Sequence, residues 1–287
     1  MKKQILLVAP GQPAQVGDGF FINRALPTRR FPDISPFLML DHAGPTTFGP
    51  SDKPRGVDEH PHRGFETVSI VFQGALEHRD SAGNAGTIYA GDVQWMTAGS
   101  GLVHEEKHER NFNKEGGTLE MIQLWVNLPA AHKMTPPKYQ ELQAKDIPVV
   151  ALGDQSQVRL IAGDLGSEKG AASTFTDLQV WDLKVVAGES IDLTVKNDQT
   201  GILYMLSGSS TINGDKAIQT KEVAFFDTKG DQIQIAASED SQFVWLGGEA
   251  IQEPVFSYGP FVMNTEQEIV EAINDFRAGK MGTLSPV

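Results

Sequence analysis

Short runs of alternating or apolar residues, each closed by Gly, Pro, Asn or Asp, recur along the whole chain and point to an all-β design. Thr67-Val-Ser-Ile-Val-Phe72 ends in Gln73-Gly74, Val93-Gln-Trp-Met96 is entered through Gly91-Asp92, and Leu119 to Val126 is ended by Asn127-Leu-Pro129. The second half repeats the style at 179–186, 202–206, 222–226, 232–235 and 242–246. Such runs have strand length and strand periodicity, and 29 glycines with 16 prolines supply the turns. Many short strands at even spacing predict a sandwich or a barrel-like jelly roll. The 287 residues suffice for two such units. A Pro-rich stretch without alternation, holding Met134-Thr-Pro-Pro-Lys138, predicts domains at 1–133 and 149–287 joined by 134–148.

The end of the chain departs from this pattern. Thr265 with Glu268 three residues on forms a capping box, and Ile269, Val270, Ile273 and Phe276 give an apolar stripe at helical spacing. Gly279 suits the position just past a helix end. One helix is expected from about 266 to 278, packed on the outside of a sheet.

Charge and composition exclude several classes. The net charge of −13 repels a phosphate backbone, so direct nucleic-acid binding is not expected. The absence of cysteine removes disulfides, thiolate metal sites and a Cys nucleophile. Met1 to Pro10 resembles a signal peptide, but its apolar run, Ile5 to Ala9, falls short of the ~7–15 residues of such a core, so a first strand is the better reading. No apolar run approaches the ~20 residues of a membrane span, and a cytoplasmic location is expected.

Chemistry concentrates in two pairs. His60 and His62 stand two apart in Glu-His-Pro-His-Arg-Gly, and His104 and Glu106 stand two apart in Gly-Leu-Val-His-Glu-Glu. On strands this spacing puts both members of a pair on one face. Three imidazoles and a carboxylate are a common ligand set for Fe, Mn, Ni or Zn. Pro61 holds His60 extended, and Gly99-Ser100-Gly101 gives a permissive turn ahead of His104. All seven histidines lie between His42 and His132. Aligning the two halves by their strands and turns puts Thr194 and Lys196 opposite His60 and His62, and Gln234 and Ala236 opposite His104 and Glu106. The second half therefore has no such site.

The remaining candidates have blander readings. Glu66 is open to a role as ligand, base or strand-face residue. His78 and Asp80 read as the polar rim of a hairpin, and His108 and His132 as solvated side chains. His42 is a candidate for lining the cavity. Trp95 and Met96 must face opposite ways on their strand.

The motifs closely resemble those of the pirin family of bicupins, within the cupin superfamily. They are His-Pro-His-Arg-Gly-Phe-Glu-Thr-Val (60–68), Gly-Asp-Val-Gln-Trp-Met-Thr-Ala-Gly (91–99), Gly-Leu-Val-His-Glu-Glu (101–106) and Tyr-Gly-Pro-Phe-Val-Met-Asn-Thr (258–265). The resemblance implies two cupin domains. The first carries a mononuclear metal, most often Fe2+ though other divalent ions serve, and the second is inert. In cupins generally the glutamate of the first motif, here Glu66, is a ligand. In pirins that role passes to the residue matching Glu106. The implied ligands are His60, His62, His104 and Glu106, with Glu66 as a nearby carboxylate. Ser100 stands where many pirins have arginine, a change at the rim.

The resemblance also implies quercetin 2,3-dioxygenase activity, the O2-dependent cleavage of a flavonol ring with release of carbon monoxide. A carboxylate must take the flavonol hydroxyl proton; Glu106 is the first candidate and Glu66 the second. The competing expectation is a non-enzymatic, redox-responsive iron protein that acts through a protein partner. A third expectation is that activity on flavonols is adventitious and the natural substrate is another small aromatic enol.

Overall fold

The computed structural model describes residues 1–18, 20–31 and 34–284. It divides into two compact units that do not follow the linear boundaries expected from the sequence. One unit comprises Met1–Gln12, Ala25–Pro36 and Lys145–Ala250, the other Pro13–Arg24, Phe37–Ala144 and Ile251–Val287. The first strand, Ile5–Pro10, therefore belongs with the second half, where it pairs antiparallel with Glu222–Phe226. The C-terminal helix belongs with the histidine-bearing first half. The crossings at 13 and 25 fall inside the strands Gln12–Val16 and Phe20–Leu26, where no composition change marks them, and the one at 37 falls at the start of Phe37–Phe48.

Each unit is a cupin-type barrel of two sheets. In the first-half unit a seven-stranded sheet contains Lys138–Leu142, Val93–Thr97, Phe65–Gln73, Gly117–Asn127, Phe37–Phe48, Phe20–Leu26 and Gln12–Val16, in that spatial order. Its four-stranded partner runs Gly56–His62, Leu102–His108, Ala75–Asp80, Ala85–Tyr89. Leu76 and Ile88 from the smaller sheet pack with Val71, Ala43, Leu119 and Met121 from the larger one, and this shared core closes one part of the barrel.

The second-half unit repeats the order strand for strand. Its four-stranded sheet runs Ser190–Thr194, Gln232–Ala237, Ser209–Ile212, Lys216–Gln219. Its core is a hydrocarbon cluster in which Ile191, Leu193, Ile233 and Ile235 meet Trp181, Leu203, Phe243 and Trp245. The residues facing inward are thus Ile191, Leu193, Ile233 and Ile235, one position away from the Thr194, Gln234 and Ala236 expected by alignment. A one-residue slip moves a strand residue to the other face. The expectation of a duplicate without a histidine site stands, with hydrocarbon in its place.

The helix spans Glu266–Arg277. Thr265 Oγ1 accepts the Glu268 N–H at 3.2 Å, and Glu268 Oε2 accepts from Asn264 N at 3.0 Å, which closes the start. Its buried face is Ile269 and Ala272, packed with Val103, Phe261, Met263 and Met281. Val270 and Phe276, expected on that face, are exposed at 45% and 40%. None of the described helices is long and apolar enough to cross a membrane.

Candidate metal centre

The site is written into strand pairing. Leu102–His108 pairs antiparallel with Gly56–His62, setting His104 opposite His60 and Leu102 opposite His62. On its other edge it pairs with Ala75–Asp80, setting Glu106 opposite His78 and His104 opposite Asp80. Directly opposed residues share a face. Four imidazoles and Glu106 therefore gather on the inner side of the small sheet. Candidate ligand atoms of His60, His62 and His104 lie within 4.8 Å of one another, and so do those of His78, His104 and Glu106. These two overlapping groups are the only such clusters among the described residues.

Hydrogen bonds orient the rings. His60 Nδ1 donates to the Asp58 carbonyl at 2.7 Å, and His62 Nδ1 donates to the Pro260 carbonyl at 3.4 Å. A carbonyl only accepts, so both Nδ1 atoms carry the proton and each Nε2 keeps its lone pair. His104 Nε2 is buried with no hydrogen-bond partner. An imidazole nitrogen left bare in a buried site is costly unless something binds it. Burial, then the neighbouring histidines, push His62 and His104 well below the ordinary imidazole value, so both are neutral. These residues fit a transition-metal ion: neutral nitrogen donors, an adjacent carboxylate and a buried lone pair.

Glu106 is held from the opposite sheet. Ser69 Oγ donates to its Oε1 at 2.8 Å and Gln94 Nε2 donates to the same oxygen at 3.2 Å. Trp125, half-buried, stands with its ring centroid 5.2 Å from that of His62, and Phe65 lies 5.0 Å from His62 on the same wall. His60 is partly exposed, whereas His62 and His104 are buried, so the cluster opens to solvent at His60.

The outcomes for other residues differ from residue to residue. Glu66 pairs with Thr97 on the neighbouring strand and accepts its hydroxyl at 2.7 Å. Ser69 of the same strand reaches Glu106, so alternation turns Glu66 to the opposite face. Burial pushes its carboxyl up to about 7. Met96 shares the inner face with Gln94, and Trp95 is buried on the outer one. His42 is also on the outer face, opposite Ile122, and its Nε2 is 3.1 Å from Glu120.

Two expectations fail. His78 and Asp80 do not stand at the polar rim of a hairpin: both are buried, and His78 stacks on Tyr139 at 5.1 Å. His108 is not solvated: it is buried among Phe20, Phe48 and Phe112. His132 is partly exposed in the 3-10 turn Ala130–His132. Ser69, Gln94, Trp125 and Tyr139 were absent from the sequence-based set. Ser69, Gln94 and Trp125 lie on strands of the larger sheet, where alternation signals them once the inward face is known.

The loop after the first pair is fixed from behind. Gly64 has φ +88°, and a Cβ there would meet the Val262 carbonyl at 2.0 Å, so glycine is required. Arg63 donates to the Ser100 carbonyl at 2.7 Å and pairs with Asp275 of the helix at 3.0 Å. Lys133 is buried and donates to Gly64 O, Asn127 Oδ1 and Val262 O at 2.8, 2.7 and 2.9 Å.

Two barrels of one strand order, one lined by histidine and the other by hydrocarbon, define a bicupin. The chain belongs to the pirin family. Its residues 19–126 match the pirin family model and residues 180–282 match that of the pirin C-terminal cupin domain. It is 45% identical over 282 residues to a Pseudomonas aeruginosa protein named "Putative quercetin 2,3-dioxygenase PA2418", covering 98% of both chains. It is 38% identical over 269 residues to a pirin-like protein of Solanum lycopersicum, covering 93% of this chain and 88% of that one. A crystal structure described as quercetin 2,3-dioxygenase from Acinetobacter baumannii superposes with a TM-score of 0.96 at 46% identity, covering 99% of this chain and 100% of that one.

Proposed function

We propose that this pirin is a mononuclear metal-dependent dioxygenase that cleaves a flavonol, or a closely similar aromatic enol, with O2 in the manner of a quercetin 2,3-dioxygenase. The observation that carries this reading is the bare, buried Nε2 of His104 beside the Nε2-presenting rings of His60 and His62. The proposed ligands are His60, His62, His104 and Glu106, and the proposed ion is Fe2+. When bound, such an ion supplies Lewis-acid and one-electron redox activation of an enolate toward O2.

The protein's own residues do the rest. Both of these hydrogen bonds to Glu106 fall on Oε1, which leaves Oε2 to bind the ion and to take the flavonol hydroxyl proton. Trp125 offers a half-buried ring face beside His62 on which a flat aromatic substrate can lie. The Phe65 and Trp125 wall limits water around the reacting enolate. Glu66 has no part in this scheme, because its carboxyl sits on the outer face with Thr97.

The test is incubation of iron-loaded protein with quercetin and O2, following carbon monoxide release and loss of flavonol absorbance. Turnover is expected in the wild type and not in His104→Ala. Equal, background rates in the two would overturn the proposal.

A further inference from the structure

His78 and Asp80 lie outside the proposed ligand set, yet both are buried against it. Asp80 is anchored first. Its Oδ1 accepts from Ala82 N at 2.9 Å, Asn84 N at 3.0 Å and Asn84 Nδ2 at 3.1 Å. Its Oδ2 accepts from Asn84 Nδ2 at 2.9 Å and faces His78 Nε2 at 3.3 Å. A carboxylate only accepts, so His78 carries its proton on Nε2.

The other end of the ring gives the same answer independently. Gln94 Nε2 donates to Glu106 Oε1 at 3.2 Å, which fixes which end of that amide is NH2. Tyr139 OH donates to the amide oxygen at 3.3 Å and agrees. The same NH2 faces His78 Nδ1 at 3.3 Å, so that nitrogen must accept. His104 Nδ1 also faces His78 Nδ1, at 3.4 Å. His78 Nδ1 has one lone pair, shared between the Gln94 NH2 and His104, so the proton between the two rings belongs to His104 Nδ1. That leaves His104 Nε2 bare, and it is the buried nitrogen without a partner.

We propose that Asp80 and His78 form a hydrogen-bond relay that sets the tautomer of His104 and so presents its Nε2 to the metal. His78 is a positioning residue and not a ligand. This inference rests on the proposed metal centre. His60 and His62 have backbone carbonyls for the same purpose; His104 alone depends on side chains. Outer partners of this kind typically change metal affinity about 10–100-fold.

The experiment uses the full chain with 15N-labelled histidine, free of metal and then titrated with Zn2+ as a diamagnetic probe. In the metal-free wild type, two- and three-bond 1H–15N correlations should show His104 protonated on Nδ1. His78→Phe keeps the stack on Tyr139 but removes the acceptor. Asp80→Asn offers His78 a donor in place of a carboxylate. Both should shift His104 toward the Nε2-protonated form and weaken Zn2+ binding about 10–100-fold. His78→Gln, which restores an acceptor, should recover most of the loss. Thermal melts confirm that each variant folds, and His78→Phe decides the matter if Asp80→Asn does not. An unchanged His104 tautomer in folded His78→Phe would overturn the relay. So would a metal-induced 15N shift at His78 Nδ1 in the loaded wild type. Failure of the wild type to bind Zn2+ contradicts the metal centre itself, while the metal-free spectra still decide the relay.

Discussion

The Ser69 hydroxyl donates to Glu106 Oε1 at 2.8 Å, joining the two sheets of the first barrel at the carboxylate of the proposed metal centre. Glu66, three residues before Ser69, turns the other way and binds Thr97. The two glutamates must therefore respond differently to the same change. Glu106→Gln is expected to lower metal affinity at least about 10-fold, because an amide is a weak ligand. Glu66→Gln is expected to leave metal content unchanged. Elemental analysis of both proteins purified in parallel checks this.

Glu66 should instead show itself in stability. Burial raises its carboxyl from 4.5 to about 7. Between those values the folded protein holds a proton that the unfolded chain has released, so this residue makes stability fall as pH rises through that window. Glu66→Gln removes the desolvation cost while keeping an oxygen for Thr97. The expected result is a higher Tm than wild type at pH 8 and little difference at pH 4.5, measured by thermal melts across the range.

His108 predicts the opposite slope. Neither of its ring nitrogens has a hydrogen-bond partner, and burial lowers its value from 6.5 to about 4. Between pH 6.5 and 4 the unfolded chain binds the proton first, so stability is lost as pH falls. His108→Leu should flatten that acid limb and raise stability at neutral pH by about 1–2 kcal/mol, since two unsatisfied nitrogens leave a cage of phenylalanines. Urea unfolding at pH 5 and pH 7 measures both effects.

Lys133 ties the loop behind His62 to the C-terminal strand through Gly64 O and Val262 O. His62 Nδ1 depends on Pro260 of the same segment. Lys133→Met keeps the length of the side chain and removes the donor, leaving buried carbonyls unpaired. A loss of roughly 3 kcal/mol or more is expected, together with weaker metal binding. Denaturant unfolding and metal titration of the same variant test the link.

These cases show what the sequence could and could not disclose. His60, His62, His104 and Glu106 were legible because a spacing of two fixes a shared face within one strand. The barrel pattern and the capped helix were legible for the same local reason. His78 was not, because its partner His104 is reached through strand register, 26 residues away. The cage around His108 is built from Phe20, Phe48 and Phe112, which no local pattern joins. The crossing of Ile5–Pro10 into the second-half barrel depends on pairing with Glu222–Phe226, more than two hundred residues away. Glu66 was a candidate through its place in the motif, and alternation sets it beside Thr97 on the outer face of its strand.

The central claim is a single metal ion in the first barrel, held by three histidine Nε2 atoms and a carboxylate. Anomalous scattering from crystals of protein purified without added metal tests it most directly. One peak per chain is expected, about 2.0–2.2 Å from Nε2 of His60, His62 and His104 and from an oxygen of Glu106, with an iron absorption edge. A peak coordinated by Glu66, or an ordered site with no metal at full histidine occupancy, would contradict it.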